Sequence, residues 1–384
     1  MKNLYQGDRG ILVSYMQLAL KRAGYPLLVD GIFGTNTCRA LADFLQTDRT
    51  PDRICVVDRS AWEKLLPYLR GYTTEEGENR ILFEDPVTSV EVPYTSLLTA
   101  AVIDGILARY PFLKSGEMGK PISYLEIGNG EKEVFYNASF HANESITTPV
   151  LLKFAEEYAQ AYEKGTALYG VPAAELFEEY RLFLVPLVNP DGVDLVNGLL
   201  TDGGYYRRAQ QIASDYPAIP FPSGWKANIE GIDLNLQFPA GWENAKRIKY
   251  AQGYTKPAPR DYVGEAPLTA PESEAVYAFT RSHDFRLILA YHTQGEVIYW
   301  KYLDYEPAHS YEIAQYFGRV SGYTVEETPT QSGYAGYKDW FIQEYDRPGY
   351  TIEAGMGENP LPMSDFAGIY RDNAGILLGG MTQI

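Results

Sequence analysis

Apolar and polar positions along this chain follow two different rhythms. Up to about residue 70 the apolar residues recur at helical spacing in three short runs. Val13, Met16 and Leu20 share one face, Cys38, Leu41, Ala42 and Leu45 a second, and Trp62, Leu65 and Leu66 a third. Glycine-bearing turns separate the runs: Gly7-Asp8-Arg9-Gly10, Gly24-Tyr25-Pro26 and Asp30-Gly31-Ile32-Phe33-Gly34, after which Thr35 is the expected N-cap. The polar stretch over 72–79 predicts a boundary, with a linker at 71–84 between a small helical domain (1–70) and a larger one (85–384). In the larger part, continuous apolar runs (134–140, 182–188, 287–291, 350–352) alternate with helical patterns over 97–109, 150–163, 173–180 and 271–281. That alternation predicts an α/β fold, a mixed and mainly parallel sheet flanked by helices and preceded by a three-helix domain. The Gly-, Pro- and Tyr-rich segment 193–231 predicts a long functional loop.

Composition removes several function classes. A formal charge of -17 argues against nucleic-acid binding, which needs clustered Lys and Arg. No run of about 18 apolar residues exists, so no membrane insertion is expected. The opening Met1-Lys2-Asn3-Leu4-Tyr5-Gln6-Gly7 carries no apolar export signal, which predicts a cytoplasmic protein. Two cysteines make no disulfide framework, and Cys38 on an apolar helix face predicts buried free thiols for it and Cys55. Nothing in the pattern fixes an oligomeric state.

Candidate chemistry gathers at the ends of the apolar runs. His141 follows the first run, with Glu144 three residues on; His292 closes another; Glu353 closes a third. Open α/β sheets build their sites beyond the carboxyl ends of strands, so these side chains are expected to converge. Two imidazoles and a carboxylate are a ligand set for a zinc ion that keeps a position open.

Two resemblances sharpen this reading. Gly7-Asp8-Arg9-Gly10, Met16-Gln17-Leu18, Gly24-Tyr25, the 30–34 loop, Thr37, Ala40 and Phe44-Leu45-Gln46 make the first module similar to bacterial peptidoglycan-binding domains. From about residue 85 onward the chain resembles the zinc carboxypeptidase family of the carboxypeptidase A type. Four motifs carry that resemblance in order: His141-x-x-Glu144; Pro186-Leu187-Val188-Asn189-Pro190-Asp191-Gly192; Gly231-Ile232-Asp233-Leu234-Asn235; and His292, followed after Asp339-Trp340 by Glu353 in Thr-Ile-Glu-Ala. The resemblance implies one zinc ion held by His141, Glu144 and His292, with Glu353 as general base. It also implies Asp233 as the carboxylate that orients the first histidine and Lys226 in the place of the arginine that polarises the scissile carbonyl.

Departures from the family pattern bear on substrate. Leu236 stands where the family clamps a terminal carboxylate with arginine, and Asn143 replaces the arginine of its H-x-R-E motif. Ordinary C-terminal trimming is therefore disfavoured, because a bidentate guanidinium–carboxylate pair is strong and has no substitute at these positions. Asn235 and Asn143 stay as candidate substrate contacts, joined by Lys338 and by Tyr334 or Tyr337 as the family's loop tyrosine. Arg207 and Arg208 are possible replacements for the lost cations. A wall-binding module beside a clamp-less catalytic domain resembles the bacterial γ-D-glutamyl-L-diamino acid endopeptidases. Their substrate, the γ-D-glutamyl bond to meso-diaminopimelate or Lys in peptidoglycan stems or muropeptides, is then the expected partner, on spore or cell wall. The competing readings are an exo-carboxypeptidase or zinc acylase on wall-derived peptides, and a wall-binding pseudoenzyme without turnover.

Overall fold

A computed structural model describes residues 1–46 and 55–384. The N-terminal module holds β1 (Leu4–Tyr5), α1 (Ile11–Arg22), α2 (Thr35–Leu45), β2 (Val56–Val57) and α3 (Arg59–Arg70). Helix α2 is capped by Gly34, so Thr35 is its first helical residue and not its cap. Asp58 caps α3 by accepting from Ala61 N–H at 2.9 Å. The two cysteines are not free thiols. Cys38 on α2 and Cys55 just before β2 form a disulfide, their Cα atoms 5.9 Å apart, within the span such a bond needs. Helical spacing turns Cys38 inward, but it says nothing about the chain that returns past it.

The segment expected to be a linker is a hairpin, β3 (Tyr72–Glu75) and β4 (Glu78–Ile81), and the chain runs on into α4 (Ser96–Arg109). Gly105 on α4 permits the close approach of α3, because a Cβ there would overlap the Arg70 carbonyl oxygen. Polar ties reinforce this seam. Tyr15 Oη donates to Pro93 O at 2.9 Å, and the Arg22 guanidinium donates to Leu69 O at 2.9 Å and Val87 O at 2.5 Å. Glu156 accepts from the N–H groups of Val87 and Thr88 at 2.7 and 2.9 Å. One apolar core therefore runs from Leu4 through α4 to Met381.

The remaining elements are β5 (Lys114–Met118), β6 (Lys120–Ile127), β7 (Lys132–Ala138), α5 (Thr147–Glu163), β8 (Ala167–Leu168), β9 (Val171–Pro172), α6 (Ala173–Glu179), β10 (Tyr180–Val185), α7 (Pro190–Val196), α8 (Gly203–Ser214), α9 (Trp242–Ala251), α10 (Pro271–Arg281), β11 (Leu287–His292), β12 (Val297–Tyr299), α11 (Ser310–Ser321), β13 (Thr324–Glu326), α12 (Tyr337–Tyr345), β14 (Gly349–Glu353) and α13 (Phe366–Thr382). Eight strands form one sheet in the order β13-β12-β14-β11-β7-β10-β6-β5. The central four, β14-β11-β7-β10, are mutually parallel; β12 runs antiparallel to β14, and β6 antiparallel to both β10 and β5.

Strand periodicity explains the two-sided burial. Val134, Tyr136, Leu182, Leu184, Leu287 and Leu289 face the core shared with α4, α5, α11 and α13. Their neighbours Phe135, Phe183, Val185, Ile288 and Ala290 face α10 and α12. The segment 193–231 is not one long loop: it finishes α7 and contains α8. Among the described residues no helix is long and apolar enough to cross a membrane.

Candidate metal centre and cleft

Parallel register places the chemistry. Residues Ala138 of β7 and Tyr291 of β11 lie opposite each other, and His292 pairs directly with Glu353 of β14. Beyond β7, Ser139 takes the left-handed region (φ 55°), a strained conformation held by hydroxyl contacts to Thr147 and Thr148 at 3.0 and 2.9 Å. This turn carries His141 over the strand ends. Asn189 then pins the loop, donating from Nδ2 to Phe140 O at 3.1 Å and to Ala227 O at 3.0 Å while accepting from Gly192 N–H.

His141, Glu144 and His292 form a buried group suited to one metal ion. The two Nδ1 atoms are 3.2 Å apart, and each lies 3.0 Å from a Glu144 oxygen. Those separations match neighbouring ligands around a zinc ion with bonds of about 2.0–2.1 Å. His141 turns Nε2 to Asp233 Oδ1 at 3.2 Å, which places the proton on Nε2 and frees Nδ1 as a ligand. Burial lowers the His141 pKa, but Glu144 and Asp233 outweigh it and push it up to about 9. The surrounding carboxylates thus favour a cation here, and a bound metal ion would take the place of that proton. Burial pushes His292 the other way, towards its neutral, ligating form. Asp233→Asn is expected to lower zinc affinity about 10- to 100-fold while leaving the stoichiometry at saturation unchanged. Competition against a fluorescent chelator measures this, and unchanged affinity would remove Asp233 from its orienting role.

Lys226 stands beside this group, its Nζ 3.1 Å from Glu144 Oε1. Burial lowers its pKa, but Glu144 and Asp233 prevail and raise it, so the ammonium stays charged. Glu353 is pushed up to about 7, first by burial and then by the Glu144 charge, against Lys226 and His141. The cleft in front of these residues has a volume of about 230 Å³.

Other candidate contacts fare unevenly. Asn235 lines the cleft, with its Oδ1 taken by Tyr337 N–H at 2.9 Å, so its side chain can offer only a donor there. Lys338 also lines the cleft but is buried, bound to Lys301 O at 2.6 Å, Thr328 Oγ1 at 3.0 Å and Asp339 Oδ1 at 2.7 Å. Two ammonium hydrogens go to Lys301 O and Thr328 Oγ1, and the Asp339 charge beside them balances the cation. Tyr337 is not a loop residue: it opens α12, is fully buried, and pairs its hydroxyl with Thr280 at 2.9 Å. Tyr334 is half-buried against Gly241 and the Leu236–Trp242 cluster, outside the cleft lining. Asn143 is buried and donates to Ser223 O at 3.3 Å, away from the cleft. Arg207 and Arg208 lie on α8, where Arg208 pairs with Glu230 at 2.7 Å, and neither lines the cleft. Helical and loop residues of this kind are hard to aim from sequence, because a turn of backbone decides which way they face.

Residues not singled out from sequence also line the cleft, among them Lys249, Arg260, Asp261 and Tyr299. The adjacent charges of Arg260-Asp261 in the 252–268 connection were the available signal.

The family model for zinc carboxypeptidases matches residues 101–374. The chain belongs to the zinc carboxypeptidase family. Like other members of that zinc carboxypeptidase family it is a metallopeptidase, and its cofactor is one zinc ion. It is 48% identical over 278 residues to gamma-D-glutamyl-L-diamino acid endopeptidase 1 of Lysinibacillus sphaericus, covering 71% of this chain and 68% of that relative. It is 42% identical over 344 residues to the uncharacterized protein YqgT of Bacillus subtilis (strain 168), covering 83% and 89%. Among solved structures, thrombin activatable fibrinolysis inhibitor superposes with a TM-score of 0.60 at 16% identity, over 100% of this chain and 98% of that one. The carboxypeptidase A from Helicoverpa armigera gives 0.57 at 18% identity, over 90% and 94%. Both likenesses concern the fold.

Proposed function

We propose that this zinc metallopeptidase hydrolyses the bond between the γ-carboxyl of D-glutamate and a diamino acid in peptidoglycan stem peptides. The observation that carries the reading is Leu236 in the cleft wall. A residue without charge there cannot clamp a terminal carboxylate, and the relative with 48% identity is named for the γ-D-glutamyl bond. The first 70 residues support the same substrate. Their groove, about 550 Å³ and lined by residues such as Tyr25, Leu27, Leu28 and Arg39, leaves Leu28 77% exposed, which suits a polymer ligand.

His141, Glu144 and His292 would hold the zinc ion. When bound, it supplies Lewis acidity towards water and the scissile carbonyl. Lys226 donates a hydrogen bond to the carbonyl oxygen as charge develops on it. Glu353 takes the proton of the attacking water and returns it to the departing amine; a carboxyl near pH 7 in basicity suits both transfers.

Defined stem peptides provide the test. Digestion of L-Ala-γ-D-Glu-diaminopimelate and its D-Ala-extended form is expected to release L-Ala-D-Glu from both, with none formed after chelation. Release of only the C-terminal residue would replace this reading with an exo-carboxypeptidase, and no cleavage by zinc-loaded protein would support a wall-binding pseudoenzyme.

A further inference from the structure

Asp261 sits at the centre of a small charged assembly on the cleft wall. Its backbone occupies the left-handed region (φ 65°), an uncommon conformation for a non-glycine residue. Its N–H donates to Asp233 Oδ2 at 3.1 Å, which ties it to the carboxylate behind His141. One of its oxygens binds Lys249 Nζ at 2.5 Å, and the other accepts from Arg260 Nε at 2.7 Å. Two cations thus share one carboxylate, leaving one positive charge in excess.

That excess belongs to Arg260. Lys249 is buried against Asp261, whereas the Arg260 side chain is 43% exposed and lines the cleft. Its Nε is fixed, but its two η nitrogens take no hydrogen-bond partner among the described residues. A guanidinium held along one edge presents the other as a rigid pair of donors matched to a carboxylate. Position tells which carboxylate. Pro259 O accepts from Lys226 N–H at 2.7 Å and from Ala227 N–H at 2.9 Å, so Arg260 is built beside the lysine that faces the scissile carbonyl. Its place beside Lys226 points to the acyl side of the bond.

We infer that Arg260 is a specificity residue that binds the free α-carboxylate of a γ-linked glutamyl residue. This rests on the γ-glutamyl reading above and deepens it. A γ-linkage leaves the α-carboxylate of the acyl residue unreacted, one short aliphatic arm from the carbonyl, whereas an α-linked peptide has no such group there. Charge recognition of this kind accepts the free acid and rejects its α-amide, isoglutamine.

The experiment compares stems carrying D-glutamate with stems carrying D-isoglutamine. Wild-type protein is expected to prefer the acid by about 10- to 100-fold in kcat/KM, the range of a hydrogen-bonded charge contact. Arg260→Gln abolishes that preference, mainly through KM and with a far larger loss on the acid than on the amide; Arg260→Lys restores part of it. Equal losses on both stems would make Arg260 a structural support of Asp261 and overturn the assignment, as would a wild type that does not discriminate. If Arg260→Gln instead erased a preference for diaminopimelate over lysine stems, the carboxylate would be the wrong one. A second arm separates this from the cleavage reading. Zinc-loaded Glu353→Gln protein serves as a binder in calorimetry, with and without Arg260→Gln. Acid-over-amide binding that depends on Arg260 upholds the site even if wild type never cuts the γ-bond; binding without that dependence overturns it.

Discussion

Glu353→Gln is expected to bind one zinc ion per chain and to lose about 10²- to 10⁴-fold in turnover, the contribution of a positioned general base. The exchange keeps shape and removes the proton acceptor. Its fold should survive, because among the described residues Glu353 makes no salt bridge and it ends a strand already paired on both sides. The pH profile supplies a second readout. A general base works as its carboxylate, so activity is present above its pKa and lost as pH falls through it. Burial and Glu144 raise that pKa to about 7, and bound zinc, a positive charge nearby, pulls it back. An acid limb at or below about pH 7 in wild type, absent from the residual activity of Glu353→Gln, is the expected pattern. A variant with near-normal turnover would take Glu353 out of the proton-transfer role.

His292→Ala is expected to be as damaging by another route. It removes one of three ligands while leaving the His141–Asp233 and Lys226–Glu144 contacts in place. Zinc content should fall well below one per chain and activity should drop to background. Stability gives an independent check. A ligand that binds only the native state stabilises it by about 4 kcal/mol at a thousand times its dissociation constant. Adding zinc to chelator-stripped wild type should therefore raise the thermal midpoint, and adding it to His292→Ala should not. A full equivalent of zinc in the variant would show that the ion sits elsewhere.

The parts of this molecule that were legible in sequence share a cause. Buried parallel strands are continuous apolar runs, so the four central strands and α4, α5, α6 and α10 lay within a few residues of the expected spans. The outer strands β5, β6, β12 and β13 were not read, because strands this far from the sheet's centre are short or mix polar and apolar residues without a strong period. Histidines and a glutamate at strand ends declared themselves because topology alone brings strand ends together. Tyr337 misled for the opposite reason. It opens α12, and only its packing against Phe135, Phe140 and Phe238 decides that it points inward. Arg260 was passed over because its value depends on Asp261, Lys249 and Lys226, three residues that no local pattern connects to it.

The seam between the first 70 residues and the sheet has a consequence for which bonds come within reach. Tyr15 and Arg22 bolt the two parts into a single body, with Glu156 anchoring Val87 on the far side, so no swinging tether separates them. On the proposed wall-peptide function, whatever the leading module grips would be held at a set span from the zinc ligands. The spacing between two points on the polymer, like notches against a ruler, would then select the stem that enters the cleft.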